Sequence, residues 1–277
     1  MATFVSSLNT YQFAWNGFLF GTGTNGITVT NVDGLMSLPD IRNQDDLRGY
    51  TDGQYSGRDF YNGRTVTIDM LITGDSSHSA QYYFNQMQAN MYPQQLGTPS
   101  QLGAFQFELN TTAGLKIMYG RVRTIETSVD PDFTFGYIQT AVEFFFPDPR
   151  YYDYPYTTSS TSSSLTLSNN GWAISCPVIT IASPSANTTF WIVNGTTSSA
   201  PYMQFITGPS TSAIVIDLLQ RTITQGGVPA RNLLTGMNGG WLAMPPITSS
   251  YALNTYTGFI GGSSGPSMSV SYTDAYV

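Results

Sequence analysis

Only one stretch of these 277 residues repeats its apolar side chains at helical spacing, and this limits the fold more than any other feature. In residues 79–92, Tyr83, Met87 and Met91 recur every fourth position, and Phe84 widens the stripe. Ser76, Ser77 or Ser79 suits the N-cap, and Pro93 stops the run. Such a tyrosine and methionine stripe predicts a helix face packed on a sheet. Elsewhere the apolar residues alternate over short runs. In residues 64–72, Val66, Ile68, Met70 and Ile72 share one face, and Thr65, Thr67 and Asp69 lie opposite. Leu71 interrupts the polar face, which predicts partial cover on that side as well. The chain is therefore expected to be mainly β.

Residues 26–32, 105–109, 115–124 and 137–146 read as further strands of a first domain, a β-barrel or sandwich carrying the one α-helix. Residues 110–114 (NTTAG) suit a hairpin connection. Pro147 and Pro149 end the last strand, since neither can donate to a ladder. A tyrosine cluster and the tract TTSSTSSS follow, read as a linker or an exposed lead-in strand. The expected division is 1–153, a Ser/Thr linker at 154–164, and a second module at 165–277. That module offers candidate strands at 165–168, 178–181, 189–193, 202–207, 213–218, 221–224, 240–244 and 268–272, with a turn at Leu219-Gln220. Short strands separated by Gly, Pro, Ser and Asn predict a C-terminal jelly-roll or other β-sandwich.

Charge sharpens this division. Only 10% of residues are charged, against about a quarter in ordinary soluble domains. Residues 1–150 hold 14 acids against 8 bases, and residues 151–277 hold three against two. A net of −6 on the first part excludes a basic nucleic-acid footprint. No apolar run approaches the length that spans a bilayer, so no membrane insertion is expected. The N-terminus lacks the basic start and apolar core of a signal peptide, which predicts a chain made and kept in a cytoplasm.

A search for chemistry finds little. Cys176 is alone and suits a small buried apolar residue, and His78 suits an exposed position flanking the helix. One His and one Cys leave no nitrogen or sulfur metal site. The carboxylate pairs Asp45-Asp46, Asp130/Asp132 and Glu143 with Asp148 lack the opposed placement a glycosidase needs, and Asp130-Pro131-Asp132 reads as a turn. Gly21-Thr22-Gly23 is too short for a phosphate cradle. No enzyme activity, cofactor or metal is expected. Aromatic residues of the second module, above all Trp191, Trp241 and Tyr256, suit stacking on sugar rings, though core packing explains them equally well.

The most unusual segment is residues 32–64, VDGLMSLPDIRNQDDLRGYTDGQYSGRDFYNGR. Four of the chain's nine arginines fall in these 33 residues. Its polarity and glycine content predict a long loop. Arg42, Arg48, Arg58 and Arg64, interleaved with Asp45, Asp52 and Asp59, suit geometry-specific ion pairing within or between subunits.

Together with the preceding FAWNGFLFGTGTNGITVTN and the domain-ending FFFPDPRYYD, this segment resembles the opening domain of the distal tail (Dit) proteins of long-tailed bacteriophages, also called minor tail proteins, especially those infecting actinobacteria. The resemblance covers about residues 10–153. The second module fits by position, with IDLLQRTITQGGVPARNLL and GGWLAMPP similar to the late strands of the family's galectin-like sandwich, which often lacks sugar binding. The resemblance implies a homohexameric ring joining the tail tube to the tail-tip hub, through which DNA passes. It implies as partners the chain itself, the tail tube protein, the tape measure protein, the hub or tail-associated lysin, and receptor-binding proteins. It places the protein at the virion tail tip, assembled in the bacterial cytoplasm. Arg42, Asp45, Arg48, Asp52, Arg58, Asp59 and Arg64 are then the expected inter-subunit contacts. A carbohydrate-binding adhesin or tail-fibre module is the alternative, and a polysaccharide hydrolase a third reading.

Overall fold

A computed structural model describes the chain except residues 1–3, 22–24, 49–51, 53, 58, 93–101, 110–113, 160–161, 196–198, 258–259 and 262. Arg58, Pro93, Thr22, Gly23 and most of the expected 110–114 connection thus lie outside the described residues. The chain divides into two units, Met1–Tyr154 with Val277, and Pro155–Tyr276.

The first unit contains β1 (Gln12–Trp15), β2 (Phe18–Gly21), β3 (Ile27–Asp33), β4 (Ile41–Arg42), β5 (Asp46–Leu47), β6 (Gln54–Tyr55), β7 (Phe60–Tyr61) and β8 (Arg64–Thr73). Helix α1 (Ala80–Met91) follows, then β9 (Gly103–Glu108), β10 (Lys116–Thr127), the short α2 (Pro131–Thr134), β11 (Tyr137–Phe146) and β12 (Tyr151–Asp153). The main antiparallel sheet runs β2-β1-β9-β10-β11-β8-β3, with β12 alongside β10. Asn16 and Gly17, both at positive φ, turn β1 into β2. That Asn-Gly pair between two apolar runs is a hairpin signal the strand assignment above passes over.

The predicted alternation is present in β8: Val66, Ile68, Met70 and Ile72 are buried, and Leu71 is half-buried. Their face meets a core of Phe13, Phe20, Phe105, Phe107, Phe144 and Phe146, with Phe105 and Phe144 centroids 5.2 Å apart. Full burial of each such ring contributes roughly 1.5–3 kcal/mol. Helix α1 closes this side, burying Tyr83, Phe84, Met87 and Met91 against β8 and β11. Ser79 caps it by accepting from the Tyr82 amide. The expected Asp130-Pro131-Asp132 turn is instead the start of α2. Asp130 caps α2, and Pro131 at its first position gives up no needed hydrogen bond.

The second unit contains β13 (Thr157–Thr158), β14 (Ser164–Asn169), β15 (Val178–Ile181), β16 (Thr189–Asn194), β17 (Tyr202–Ile206) and β18 (Ile214–Asp217). Then come β19 (Thr222–Gln225), β20 (Val228–Pro229), β21 (Leu234–Asn238), β22 (Thr248–Thr257), β23 (Ser263–Ser264) and β24 (Met268–Tyr272). One sheet runs β13-β24-β15-β18-β19-β20, and the other β14-β22-β16-β17-β21 with β23 beside β22. Ile179, Ile216 and Val270 of the first share one core with Leu167, Phe190, Phe205 and Leu253 of the second, so the unit is a β-sandwich. Thr157 and Thr158, in the Ser/Thr tract, pair with Tyr272 and Ser271.

Two assignments change here. The expected strand at 240–244 reduces to a single Ser175–Met244 bridge. The longest strand among the described residues of the unit, β22, has no counterpart in the sequence reading, because its Ser, Thr and Asn content reads as loop. Tyr251 and Leu253 nevertheless face the core from it, and it sits between β14 and β16. Cys176 is half-buried against the core rather than fully enclosed.

Candidate functional site

The arginine-rich segment is not an irregular loop. Ile41 and Arg42 pair with Tyr61 and Phe60, and Asp46 and Leu47 pair with Tyr55 and Gln54. Two short ladders in line make a hairpin arm. Every residue from 41 to 62 whose burial is described is exposed. The side chains gain almost nothing from their own unit, so the ladder hydrogen bonds and local stacking carry the arm.

Arg42 places its guanidinium carbon 5.6 Å from the Phe60 ring centre, and Arg48 lies 5.0 Å over Tyr55. Each cation rests on the cross-strand aromatic face, which leaves its N–H edges free. Asp45 accepts from the Gly57 amide at 2.8 Å and pins the crossing between the two ladders. Asp52 and Asp59 are exposed. Among the described residues neither Arg42 nor Arg48 forms an ion pair, and Ile41, Tyr55 and Tyr61 are 57%, 63% and 49% exposed.

Arg64 departs from the expected clasp. It is 2% exposed and begins β8 on the same face as Val66 and Ile68. Its Nε donates to the Pro149 carbonyl at 2.9 Å, and Nη1 donates to the carbonyls of Gly34, Leu35 and Ser37 at 3.0, 2.5 and 2.7 Å. Nη2 is buried without a partner among the described residues, and the Tyr151 ring centre lies 6.0 Å away. Burial lowers the guanidinium pKa, with Tyr151 pulling it back. Arg64 therefore ties the chain entering the arm, the strand leaving it and the turn after β11 into one knot. Gly34 allows this at φ +78°, where an added Cβ would stand 2.2 Å from the Thr65 carbonyl oxygen. The strand alternation that puts Val66 inward also puts Arg64 inward, and that is the signal that marks it as the arm's root.

The other expected carboxylate pairs are engaged locally. Asp148 accepts from Arg150 at 2.8 and 3.0 Å and from the Tyr152 hydroxyl at 2.6 Å. Glu143 lies 3.8 Å from Arg123, whose guanidinium also sits 3.7 Å over Phe145. Asp75 accepts from the Ser77 and His78 amides and the Tyr83 hydroxyl, which hold its carboxyl below its ordinary value, the hydroxyl most strongly. His78 is exposed and stacks on Tyr82 at 4.1 Å. Among the described residues no three His, Cys, Asp or Glu side chains converge as metal ligands.

In the second unit the sheet register sets Trp191 directly beside Tyr256, with Gln204 on the other side. All three point away from the core face of Phe190 and Ile192, and the two rings are half-buried. Trp241 does not join them. It lies outside any strand, packed on the core, with the Arg231 guanidinium 4.6 Å over its ring.

No protein-family model matches the sequence, and no curated protein matches it significantly. Among solved structures, SPP1 Dit (gp 19.1), described as a paradigm of the hub adsorption apparatus in phages infecting Gram-positive bacteria, aligns with a TM-score of 0.69 and 16% identity. The alignment covers 97% of this chain and 100% of SPP1 Dit. Two structures of the phage p2 baseplate in its activated conformation, with Sr and with Ca, align at TM-scores of 0.49 and 0.48 and 7% identity, each over 94% of this chain and 97% of the other. The SPP1 likeness, which runs through both units, is one of architecture: the chain has the fold of SPP1 Dit.

Proposed function

We propose that the chain is a phage distal tail protein, a structural part of the tail tip. The observation that carries this is the alignment with the whole of SPP1 Dit, a hub protein. In this reading the ring-forming part is residues 1–153, and six copies close a collar between tail tube and tail-tip hub. Residues 165–277 form the galectin-like module that faces neighbouring tail proteins or a receptor-binding protein. The arm acts as the clasp between copies through Arg42, Arg48 and, in sequence, Arg58, with Asp45, Asp52 and Asp59 setting register. Arg64 supports the arm from within its own subunit.

A ring around a bore lets DNA pass, and surplus carboxylates of residues 1–150 facing it would keep the duplex from sticking. The role is scaffolding rather than catalysis, in a virion built in the host cytoplasm. Tail tube protein, tape measure protein and hub or lysin are the neighbours such a collar meets. Negative-stain imaging of the purified full chain tests this. Six-fold rings with an open centre are expected, and a protein that stays monomeric at every concentration overturns it.

A second reading rests on the Trp191–Tyr256 pair, whose adjacent outward rings suit stacking on a pyranose. Full-length protein on a glycan array, with Trp191→Ala alongside, tests it. Binding that the substitution abolishes supports a surface adhesin, and no binding to any glycan removes that reading.

A further inference from the structure

Resting on the ring reading, we infer that the arm of one copy docks on an acidic tip without Lys or Arg at the opposite end of the first-unit sheet of the next copy. The pairing of β8 with β11 sets the geometry. Arg64 stands opposite Phe146 at one end, where the arm is rooted, and Thr73 opposite Tyr137 at the other. Ten residues at strand rise separate the ends by about 30 Å.

The far end has a chemistry of its own. Residues 65–115 and 124–149 contain no Lys or Arg, and His78 is their one basic side chain. The far end carries Asp75, Glu126, Asp130 and Asp132, and none of the ion pairs among the described residues of the unit reaches them. It also exposes large apolar side chains: Val129 is 80%, Phe135 76% and Tyr137 51% exposed. Phe135, Gly136 and Tyr137 face the 73–80 loop across a groove of about 570 Å³. Carboxylates beside exposed aromatics, without Lys or Arg, form half of a contact.

The arm supplies the other half. Arg42 on Phe60 and Arg48 on Tyr55 present flat, partly desolvated guanidinium groups with free edges, flanked by Ile41 and Tyr61. Because its described residues are all exposed, the arm is not spent on its own subunit. Two unlike patches at opposite ends of one sheet make a heterologous contact, the kind that closes into a ring. The exposed Asp59, which alternates with Phe60 and so lies on the face opposite Arg42, would be repelled by the tip, which favours approach by the face bearing Arg42.

The test is a charge swap in the full chain, read by native mass spectrometry and imaging. Glu126 and Asp132 are chosen because both are exposed and neither caps α2, as Asp130 does. R42E/R48E and E126R/D132R are each expected to unfold as wild type does yet lose the ring. The four changes combined are expected to regain it. Rings formed normally by folded E126R/D132R protein overturn this inference and leave the ring reading intact. A folded four-site variant that stays monomeric overturns the pairing of these two patches. Wild-type protein that never oligomerises overturns both.

Discussion

The arm and its root lie within one 33-residue stretch and use the same residue type in opposite ways. Arg42 and Arg48 lie in solvent on single aromatic rings, with no hydrogen-bond or ion-pair partner in their own chain among the described residues. Arg64 lies in the interior with four carbonyls around it and no carboxylate. Burial of a cation without a counter-ion is tolerated only when oriented dipoles replace water, and here backbone carbonyls from two segments, the 34–37 turn and Pro149, do so. An exposed arginine loses little solvation until a partner covers it. The root thus stores the folding energy of this region and the arm keeps its binding energy unused. Arginine content alone says nothing about which role a given side chain plays.

Removal of the root should have the largest effect. Arg64→Ala leaves the Gly34, Leu35, Ser37 and Pro149 carbonyls without their donor, and at 1–3 kcal/mol for each group left unsatisfied, less what water repairs, a loss of about 4 kcal/mol is expected. Urea unfolding of the full chain measures it. Arg64→Lys keeps the charge but cannot fork between Pro149 and the 34–37 turn, and should recover less than half of the loss. Both variants should also be cut faster by protease within residues 41–62 under native conditions, since the arm's entry and exit are no longer tied together. A loss below about 1 kcal/mol for Arg64→Ala would mean the knot contributes no more than an ordinary surface site, and the contrast between arm and root would fail.

How far the sequence reveals these features depends on whether a local pattern survives burial. Helix α1 and strand β11 are readable almost residue for residue, because apolar spacing and a proline stop or serine cap coincide there. Strand β22 is hidden because only Tyr251 and Leu253 among its buried residues are large and apolar: Asn254 and Thr255 are enclosed as well, hydrogen-bonded to Gly195 and Pro266 carbonyls, which no hydropathy pattern registers. The arm shows as a charged glycine-rich run, but its ladders are two residues long and leave no alternation to detect. The charge of Arg64 groups it with the arm, although its position in the β8 alternation assigns it inward. The acidic tip shows in sequence only as missing cations over two long spans, and becomes a surface once β8 and β11 bring the spans together. Trp191 and Tyr256, 65 positions apart, meet through β16 and β22, one of them a strand the sequence conceals.

The smallest expected effect is the most direct check on the contrast. Cation–π contact at an exposed site is worth roughly 0.5–1 kcal/mol, and surface substitutions away from such features stay within about 0.5 kcal/mol. At 5.6 and 5.0 Å from their ring centres, Arg42 and Arg48 make ordinary contacts of this class. Arg42→Ala and Arg48→Ala should therefore each shift the unfolding free energy of the monomer by less than about 1 kcal/mol. The same two changes should raise the concentration at which copies associate, because each removes a guanidinium that has no ion-pair partner among the described residues. Equilibrium unfolding at low concentration, set beside sedimentation across a concentration series, separates the two quantities. A monomer destabilised as strongly as by Arg64→Ala would show that the arm belongs to the folded core. Unchanged association would show that its arginines face solvent in the assembly too.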